Sequence, residues 1–564
     1  MTTAAEQVQW AAPRWTRPMY QPATGMDHLG LASVSQDRIL RALSPGINVL
    51  TIHPRYWSIY LWLLTEFWDR EDLGKTRVNW GRFIKPRERI IVAAILSCPV
   101  HGADIPEVAG KLRLRRELAE HPAAVDPQAP YLKNPRGGYP IYASAIAQLG
   151  LILQEGDAPE IKCDVPTPEG RRVGLALRDW VKPTTYYRKH LADDRTPVPI
   201  SVVSELSERI CLCRLQAGPD HPLLQDAFLH AGNPIEAAAR RASLRLVCDL
   251  WSGANDEPIE PWDFRQLIYF RRDARQRSYR PSNDELARTA RRWRLYQHRE
   301  FAAWTCNRWL RHLSLYGLAS DGDRVPLSFE QVLGTVDAAD FSALAAGMEL
   351  EDPGLSGASP VQDLFDWVQS GAKAKRDLDT EWDVHAPLSE ENLADYLWDL
   401  DRTGEDVTAA LLSLLVLCGV RLWSRRYPLQ LPEDWSLVRA GGNRRLSSDR
   451  LVTDLRFHIS ANSTISQTGR WFLEHYVIRQ HHRVALGKLP DDTFRLRLEA
   501  GRIRFVSESV AVEMNDSRFR ALSTVGLEFG WLRTPAPGRA PLSPAGRRLL
   551  AKGDLPTLPP KAGA

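Results

Sequence analysis

The sequence lacks the short motifs that mark common catalytic sites. It contains no Walker phosphate loop, no glycine fingerprint for a dinucleotide, no Gly-x-Ser-x-Gly elbow and no His-Glu-x-x-His zinc motif. These absences favour a non-catalytic protein. Its function must then be inferred from the architecture of the chain and from the placement of its charges.

Cysteine is scarce, and its spacing indicates neither a disulfide framework nor a metal site. The seven cysteines are spread over positions 98, 163, 211, 213, 248, 306 and 418, without a Cys-x-x-Cys pair. Cys211 and Cys213 flank Leu212 in a segment apolar enough to be buried. The sequence therefore predicts reduced, buried thiols, no metal and no cofactor.

Long apolar runs and a signal peptide are also missing. The longest uncharged apolar run, Val407 to Val420, is too short to span a bilayer and predicts a core helix. The N-terminus shows no basic stretch followed by an apolar one. We therefore expect a cytoplasmic protein with no membrane partner.

The composition is that of a folded protein with several domains. Of the 564 residues, 44% are hydrophobic and 25% are charged, and the 19 tryptophans can build large cores. The net charge is only +4, so any basic binding surface must be local. Arginine greatly outnumbers lysine, which suits phosphate binding but also follows from GC-rich coding. Only the placement of the arginines is therefore informative.

One seven-residue pattern occurs twice, as TPEGRRV from Thr167 and as SPAGRRL from Ser543. The Thr and the Ser are expected to cap a helix, with Pro at its first position. Gly170 and Gly546 would permit close backbone approach in the first turn. Upstream of each copy lie a helix, a Gly turn and an apolar strand, so the two regions are predicted to share a local architecture.

This order of elements resembles the closing half of a winged-helix domain. The resemblance covers residues 85–178 and, less completely, residues 494–550. It implies that the third helix enters the DNA major groove, and in the first unit that helix carries Tyr139, Tyr142, Ser144 and Gln148.

The wings of the two units, the loops between their paired strands, differ in charge. Loop 155–160 of the first unit is acidic, which disfavours contact with phosphate. In the second unit the resemblance implies nucleic-acid contacts from Arg518, Arg520, Arg533 and Arg539. The second unit is therefore the better candidate for DNA binding.

Together these patterns predict a mainly α, multi-domain fold of helical bundles, with two winged-helix-like units that carry small β-hairpins. Residues 494–506 alternate with period two around Ala500 and Gly501, which predicts one hairpin. The predicted segments are an N-terminal arm (1–25), an apolar helical segment (26–81), a winged-helix-like domain (82–190), an Arg-rich helical domain (195–325), a helical domain (326–490), a C-terminal winged-helix-like unit (491–552) and a disordered tail (553–564).

The strongest charge asymmetry lies between Arg265 and Arg311. This segment contains thirteen arginines and four acidic residues, with tyrosine and tryptophan interleaved. It predicts a long amphipathic helix with an Arg-rich flank, and one interpretation is a structural helix with solvated arginines. The other is a phosphate-binding surface formed by Arg288, Arg291, Arg292, Arg294 and Arg299.

One alternative function is catalytic. Arg470 and His475 have the Arg-x4-His spacing that resembles HEPN-type ribonucleases, in which Arg would stabilise a phosphate oxyanion while His transfers a proton. The polar residue that usually follows the Arg in that family is Trp471 here. A further alternative is a protein-interaction scaffold without nucleic acid.

The chain as a whole resembles large uncharacterised bacterial proteins encoded in phage-defence loci. The resemblance rests on residues 26–64, 129–153 and 481–497. It implies a place in a bacterial multi-protein antiviral defence system, but no mechanism. We therefore expect a non-catalytic nucleic-acid-binding or scaffolding subunit, with DNA favoured over RNA and with other protein subunits as partners.

Overall fold

The computed structural model describes residues 27–100, 105, 107–253, 257–319, 326–375, 378–403, 407–424, 432–442, 445–489, 491–508, 510 and 512–555. The predicted N-terminal arm and most of the predicted tail lie outside these residues. Within the described part of the chain, no helix has both the length and the hydropathy needed to cross a bilayer.

The chain is mainly helical, as predicted, with only short antiparallel sheets. Up to residue 199 the elements are α1 (Leu31–Val34), a π-helix (Ser35–Ile39), α2 (Leu40–Leu43), α3 (Arg55–Asp69), α4 (Arg77–Leu96), α5 (Lys111–Glu120), β1 (Ala124–Val125), α6 (Tyr139–Gln148), β2 (Ile152–Leu153), β3 (Val165–Pro166), α7 (Pro168–Val181), a π-helix (Tyr186–His190) and β4 (Val198–Pro199).

The middle of the chain, from residue 200 to residue 319, is mainly helical in its described part. Its elements are α8 (Ile200–Ile210), a 3₁₀-helix (Leu212–Ala217), α9 (His221–His230), α10 (Pro234–Ser252), α11 (Pro261–Tyr269) and α12 (Asp284–Ala319).

The last part combines helices with a three-stranded sheet. Its elements are β5 (Leu327–Ser328), α13 (Phe329–Leu333), a 3₁₀-helix (Gly334–Ala338), α14 (Phe341–Gly347), α15 (Val361–Gly371), α16 (Glu390–Thr403), α17 (Thr408–Arg421), α18 (Pro432–Val438), α19 (Ser448–Ser460), α20 (Ile465–Phe472), a π-helix (Leu473–Ile478), α21 (Arg479–Leu486), β6 (Leu496–Glu499), β7 (Arg502–Phe505), α22 (Phe519–Glu528) and α23 (Pro544–Lys552).

Three small antiparallel sheets form among these strands. β1 pairs with β4, and β2 pairs with β3 so that Ile152 faces Pro166. The third sheet has the order β5-β7-β6, with Ile503 between Leu327 and Leu498. Ala500 and Gly501 both have positive φ at the turn between β6 and β7, which confirms the predicted hairpin.

The chain divides into two compact units that cut across the predicted segments. Unit I comprises Met1–Ile39, Arg265–Tyr279 and Arg291–Asn515. Unit II comprises Leu40–Phe264, Arg280–Ala290 and Asp516–Ala564. The predicted C-terminal unit, residues 491–552, is therefore split, because its hairpin belongs to unit I and its helices belong to unit II.

The core of unit I is built around α17. All its residues are buried, so the core helix predicted from the run Val407 to Val420 is confirmed. Phe301 and Trp309 of α12 belong to the same apolar cluster. Such a helix, apolar on every side, is stable only when other elements surround it.

The core of unit II is built around α3, which begins directly after Pro54. Tyr56, Tyr60, Leu63 and Phe67 of this helix are all buried. Trp57 and Trp62 of α3 and Trp80 of α4 are fully buried as well. These large side chains fill the space between α3 and the neighbouring helices α4, α6 and α7.

The repeated seven-residue pattern forms the same structure twice within unit II. The hydroxyl of Thr167 accepts a hydrogen bond from the amide of Gly170 (3.2 Å), and Ser543 does the same for Gly546 (3.0 Å). The amide of Thr167 donates to the carbonyl of Leu151, while that of Ser543 donates to the equivalent carbonyl of Trp531, both at 3.0 Å.

The glycine in each copy is required by this close approach. A β-carbon built at Gly170 would overlap the carbonyl oxygen of Leu151, and one at Gly546 would overlap that of Trp531. Only glycine lets the new helix lie against the preceding strand at this point. The predicted caps and the predicted need for glycine are therefore confirmed.

Candidate nucleic-acid interface

The predicted Arg-rich helix exists, but part of its arginine flank is buried. α12 is a single helix of 36 residues. The side chain of Arg294 is fully buried, donates from Nε to the carbonyl of Tyr269 (2.6 Å) and stacks 3.7 Å from the Trp382 ring centroid. Burial lowers its pKa well below the usual range. Arg294 is therefore a core residue and not a surface cation.

Arg299 is buried too, next to Glu300 and the hydroxyl of Ser35. Burial lowers its pKa as well. The expectation of a solvent-facing flank is therefore wrong at Arg294 and at Arg299. The physical reason is that backbone carbonyls and a tryptophan face replace water around the Arg294 guanidinium, while the Glu300 carboxylate and the Ser35 hydroxyl do so at Arg299.

The other three predicted contacts on α12 lie nearer the surface. Arg291 is bidentate to Asp379, with Nε–Oδ1 3.0 Å and Nη2–Oδ2 2.6 Å, and Arg292 Nε lies 2.6 Å from Asp434 Oδ1. Arg288 is exposed and makes no ion pair with the described residues. Two of these three cations already have carboxylate partners, so the helix does not present a continuous positive face.

The four arginines predicted in the C-terminal unit are also dispersed. Arg518 is buried, has positive φ (56°) and donates to the carbonyls of Leu40 (3.2 Å) and Ile47 (3.0 Å). Arg520 is exposed, 3.8 Å from Glu107. Arg533 is half-buried and Arg539 is exposed. Arg518 therefore has a structural role in holding the segment 40–47.

The helix expected to enter the DNA groove is packed into unit II. The rings of Tyr139 and Tyr142 are buried, which excludes direct base contact from these side chains in this conformation. Gln148 accepts a hydrogen bond from the amide of Gly46 (2.7 Å). Of the four residues carried over from the resemblance, only Ser144 is exposed.

Unit II carries a basic cleft that the sequence patterns did not reveal. The cleft has a volume of about 980 Å³ and lies between the first turns of α4 and the loops before α6 and β4. One carboxylate, that of Asp194, is among its lining groups. Five cationic side chains line this basic cleft: Arg77, Arg82, Lys85, Arg136 and Arg195.

Three of these cations form no salt bridge with the described residues, and Lys85 interacts with the buried Glu88 only through its electrostatic field. Arg82 and Arg195 are exposed and Lys85 is half-buried. Arg77 and Arg136 are only loosely paired, at 3.4 Å from Glu155 and 3.8 Å from Asp164.

Asp194 does not neutralise the basic cleft. Its carboxylate lies 3.3 Å from Nη1 of Arg87, whose side chain is buried against Phe83. The basic cleft is thus a local concentration of positive charge in a chain that is nearly neutral overall.

A buried carboxyl group holds the two walls of the basic cleft together. Glu88 of α4 accepts hydrogen bonds from the Tyr60 hydroxyl (2.5 Å) and from the amide of Gly138 (2.9 and 3.0 Å). Gly138 is the N-cap residue of α6, at the end of the loop that carries Arg136. Burial raises the pKa of Glu88 to about 7, against these hydrogen bonds, which lower it. Glu88 thus fixes the loop to the helix that carries Arg82 and Lys85.

The ribonuclease pair is engaged in other contacts. The guanidinium of Arg470 is bound by both oxygens of Asp337 and by Glu330, and these contacts raise its pKa. His475 stacks on Trp471, with ring centroids 4.3 Å apart, and its Nδ1 lies 3.0 Å from the Trp471 carbonyl oxygen. A carbonyl can only accept, so Nδ1 carries the proton and only Nε2 is left as an acceptor.

The sequence reasoning missed the basic cleft because its cations are far apart in the chain. Arg77, Arg82 and Lys85 share one helix but are separated by apolar residues, and Arg195 comes more than a hundred residues later. The helical spacing of Arg82 and Lys85 was the only available signal, and it is common on solvated helices.

Comparison with known proteins adds no assignment. The chain matches no protein-family model, and no curated protein or solved structure is detectably similar to it.

Proposed function

We propose that this protein is a non-catalytic nucleic-acid-binding protein and that the basic cleft of unit II is its phosphate-binding surface. The observation that carries the proposal is the set of unpaired cations Arg82, Lys85 and Arg195 around one cleft. Cations without an internal partner are free to replace the counterions of a phosphate backbone, which is the main source of affinity for nucleic acids.

The residues that line the basic cleft favour contact with the nucleic-acid backbone over recognition of its bases. Pro130 and Pro135 are exposed apolar groups in the wall, and Tyr131 is buried, with its hydroxyl bonded to the carbonyl of Ala109 (2.6 Å). The side-chain amide of Gln128 already donates to the carbonyl of Asp194 (2.8 Å), so it is engaged within the protein. We therefore expect affinity that depends strongly on salt and weakly on sequence.

DNA remains favoured over RNA, and a place in a bacterial multi-protein defence system remains an expectation from the resemblance. Contacts from Arg288, Arg520, Arg533 and Arg539 also remain predictions. These exposed or half-buried arginines would extend the binding surface beyond the cleft.

The test is binding of labelled duplex DNA, single-stranded DNA and single-stranded RNA, measured by fluorescence anisotropy at several salt concentrations. The variant is Arg82→Glu combined with Arg195→Glu. Both side chains are exposed, so the fold should not change. We expect weaker binding to all sequences alike, and a salt slope smaller by about 2, since each lost phosphate contact removes about 0.9.

The matched control is Arg548→Glu, which reverses an exposed arginine of unit II that does not line the basic cleft. It should bind like the wild type, apart from a small effect of net charge. If the double variant, the control and the wild type bind equally, the cleft is not the binding surface. If the wild type binds none of the three probes, the nucleic-acid proposal fails and the scaffold hypothesis gains support.

A further inference from the structure

Three cysteines from distant parts of the chain meet where two helices of unit II end. Cys98 follows α4, and Cys211 and Cys213 follow α8, which packs against α4. The Sγ atoms of Cys98 and Cys213 lie 3.7 Å apart, and all three sulfurs lie within 4.8 Å of one another. Cys98 and Cys211 are buried and Cys213 is half-buried, so an ion can reach the cluster from the Cys213 side.

The spacing of the sulfurs fits a tetrahedral thiolate site. With metal–sulfur bonds of about 2.3 Å, two thiolates of one zinc ion lie about 3.8 Å apart. Cys98 and Cys213 are already at this separation. The widest separation in the trio exceeds it by about 1 Å at most, which side-chain rotation can close. The other cysteines, Cys163 among them, are buried and belong to no such group among the described residues.

The surroundings of the trio also favour a cation. The three cysteines come just after the C-terminal ends of α4 and α8, where the helix dipoles carry partial negative charge.

We propose that Cys98, Cys211 and Cys213 bind one zinc ion, with a solvent molecule as the fourth ligand. Binding converts the thiols to thiolates and releases their protons to water, with no change in oxidation state. The ion would link the last turns of α4 and α8 and so stabilise the helix whose first turns line the basic cleft. The proposal does not depend on nucleic-acid binding.

The test uses the full chain, purified under reducing conditions without chelators. Zinc per chain is measured by mass spectrometry of the metal, and cobalt(II) is used as a spectroscopic probe of thiolate ligation. The variant is Cys213→Ser, because the half-buried position tolerates the change best. The matched control is Cys163→Ser, which removes a buried thiol of the same unit outside the trio.

We expect the wild type and Cys163→Ser to retain one zinc per chain and to show intense sulfur-to-cobalt charge transfer. Cys213→Ser should lose both properties while its far-ultraviolet circular dichroism stays unchanged. Zinc should also raise the melting temperature of the wild type and of the control, but not that of Cys213→Ser. The affinity should rise with pH, because protons compete with the metal.

Three results would overturn the proposal. The wild type could fail to retain zinc or to give cobalt–thiolate absorption. Cys213→Ser could retain as much zinc as the control. Finally, a disulfide between Cys98 and Cys213 could form in zinc-saturated protein, which would mean that the thiols are not held by the metal.

Discussion

The clearest perturbation of the basic cleft is the replacement of Glu88 by Gln. Glu88 is fully buried and accepts hydrogen bonds from Tyr60 and from the amide of Gly138, which places the Arg136 loop against α4. Gln keeps the shape and one acceptor oxygen but has no charge. The comparison therefore isolates the effect of ionising Glu88.

The expected magnitude follows from the pKa of about 7 in the folded protein and the ordinary value of 4.5. Between pH 4.5 and pH 7 the Glu88 carboxyl is ionised in the unfolded chain and still protonated in the folded chain. The free energy of unfolding therefore falls as pH rises, by about 1.4 kcal/mol per pH unit, and levels off above pH 7. The total loss from this one group is about 3 kcal/mol.

The measurement is urea unfolding of the wild type and of Glu88→Gln between pH 4.5 and pH 8, followed by tryptophan fluorescence. Hydrogen exchange of peptides from α4 and α6 gives a second readout within unit II. The stability advantage of the wild type over Glu88→Gln should shrink by about 3 kcal/mol across this range. Burial also raises the pKa of Glu391 and Glu528. Both residues are present in the wild type and in Glu88→Gln, so their contributions cancel when the two free energies of unfolding are subtracted.

Glu120→Gln, which changes an exposed carboxylate of α5, is the matched control and should leave the pH profile unchanged. If the free energies of unfolding of the wild type and of Glu88→Gln changed with pH in parallel, the reasoning would be refuted. Glu88 would then have the same pKa in the folded and the unfolded protein, as a solvated carboxylate does.

Two further predictions concern the repeated pattern and the ribonuclease alternative. Gly546→Ala should destabilise the protein by about 1–3 kcal/mol, because the new β-carbon overlaps the Trp531 carbonyl. Helix propensity alone would favour Ala by up to about 1 kcal/mol, so the sign of the change is informative. Gly253→Ala is the control in thermal and urea unfolding, since the nearest atom lies 3.7 Å from its new β-carbon. His475→Ala should leave any ribonuclease activity of the preparation unchanged, since Arg470 is bound by carboxylates; loss of a reproducible activity in this variant would instead support catalysis.

The sequence was sufficient for much of the local structure. The caps at Thr167 and Ser543, the hairpin at Ala500 and Gly501, and the core helix from 407 to 420 rest on short-range rules that act within a few residues. Such rules hold because a cap or a tight turn is stabilised mainly by its own backbone.

The division into units was not predictable in the same way. Unit II gathers residues 40–264 with 516–564, and this long-range assembly leaves no local signature. The same limitation hid the cysteine trio, because Cys98 approaches Cys213 only through the packing of α4 on α8.

The candidate site was misjudged for a related reason, since counting arginines does not measure surface charge. Arg294 and Arg421 lie 3.7 and 4.3 Å from the Trp382 ring centroid, and Arg421 is bidentate to the buried Glu390 at 2.9 Å. A guanidinium carries five donors on a flat, weakly hydrated group, so it can enter a core where an ammonium would not.

In an Arg-rich chain, the informative cations are those that the fold leaves without an internal partner. Arg82, Lys85 and Arg195 meet this condition around the basic cleft, whereas Arg291 and Arg292 do not. Charge reversal should therefore separate the two groups. At the cleft it removes an attraction to phosphate, whereas at Arg291 or Arg292 it places a carboxylate next to Asp379 or Asp434 and acts on stability first.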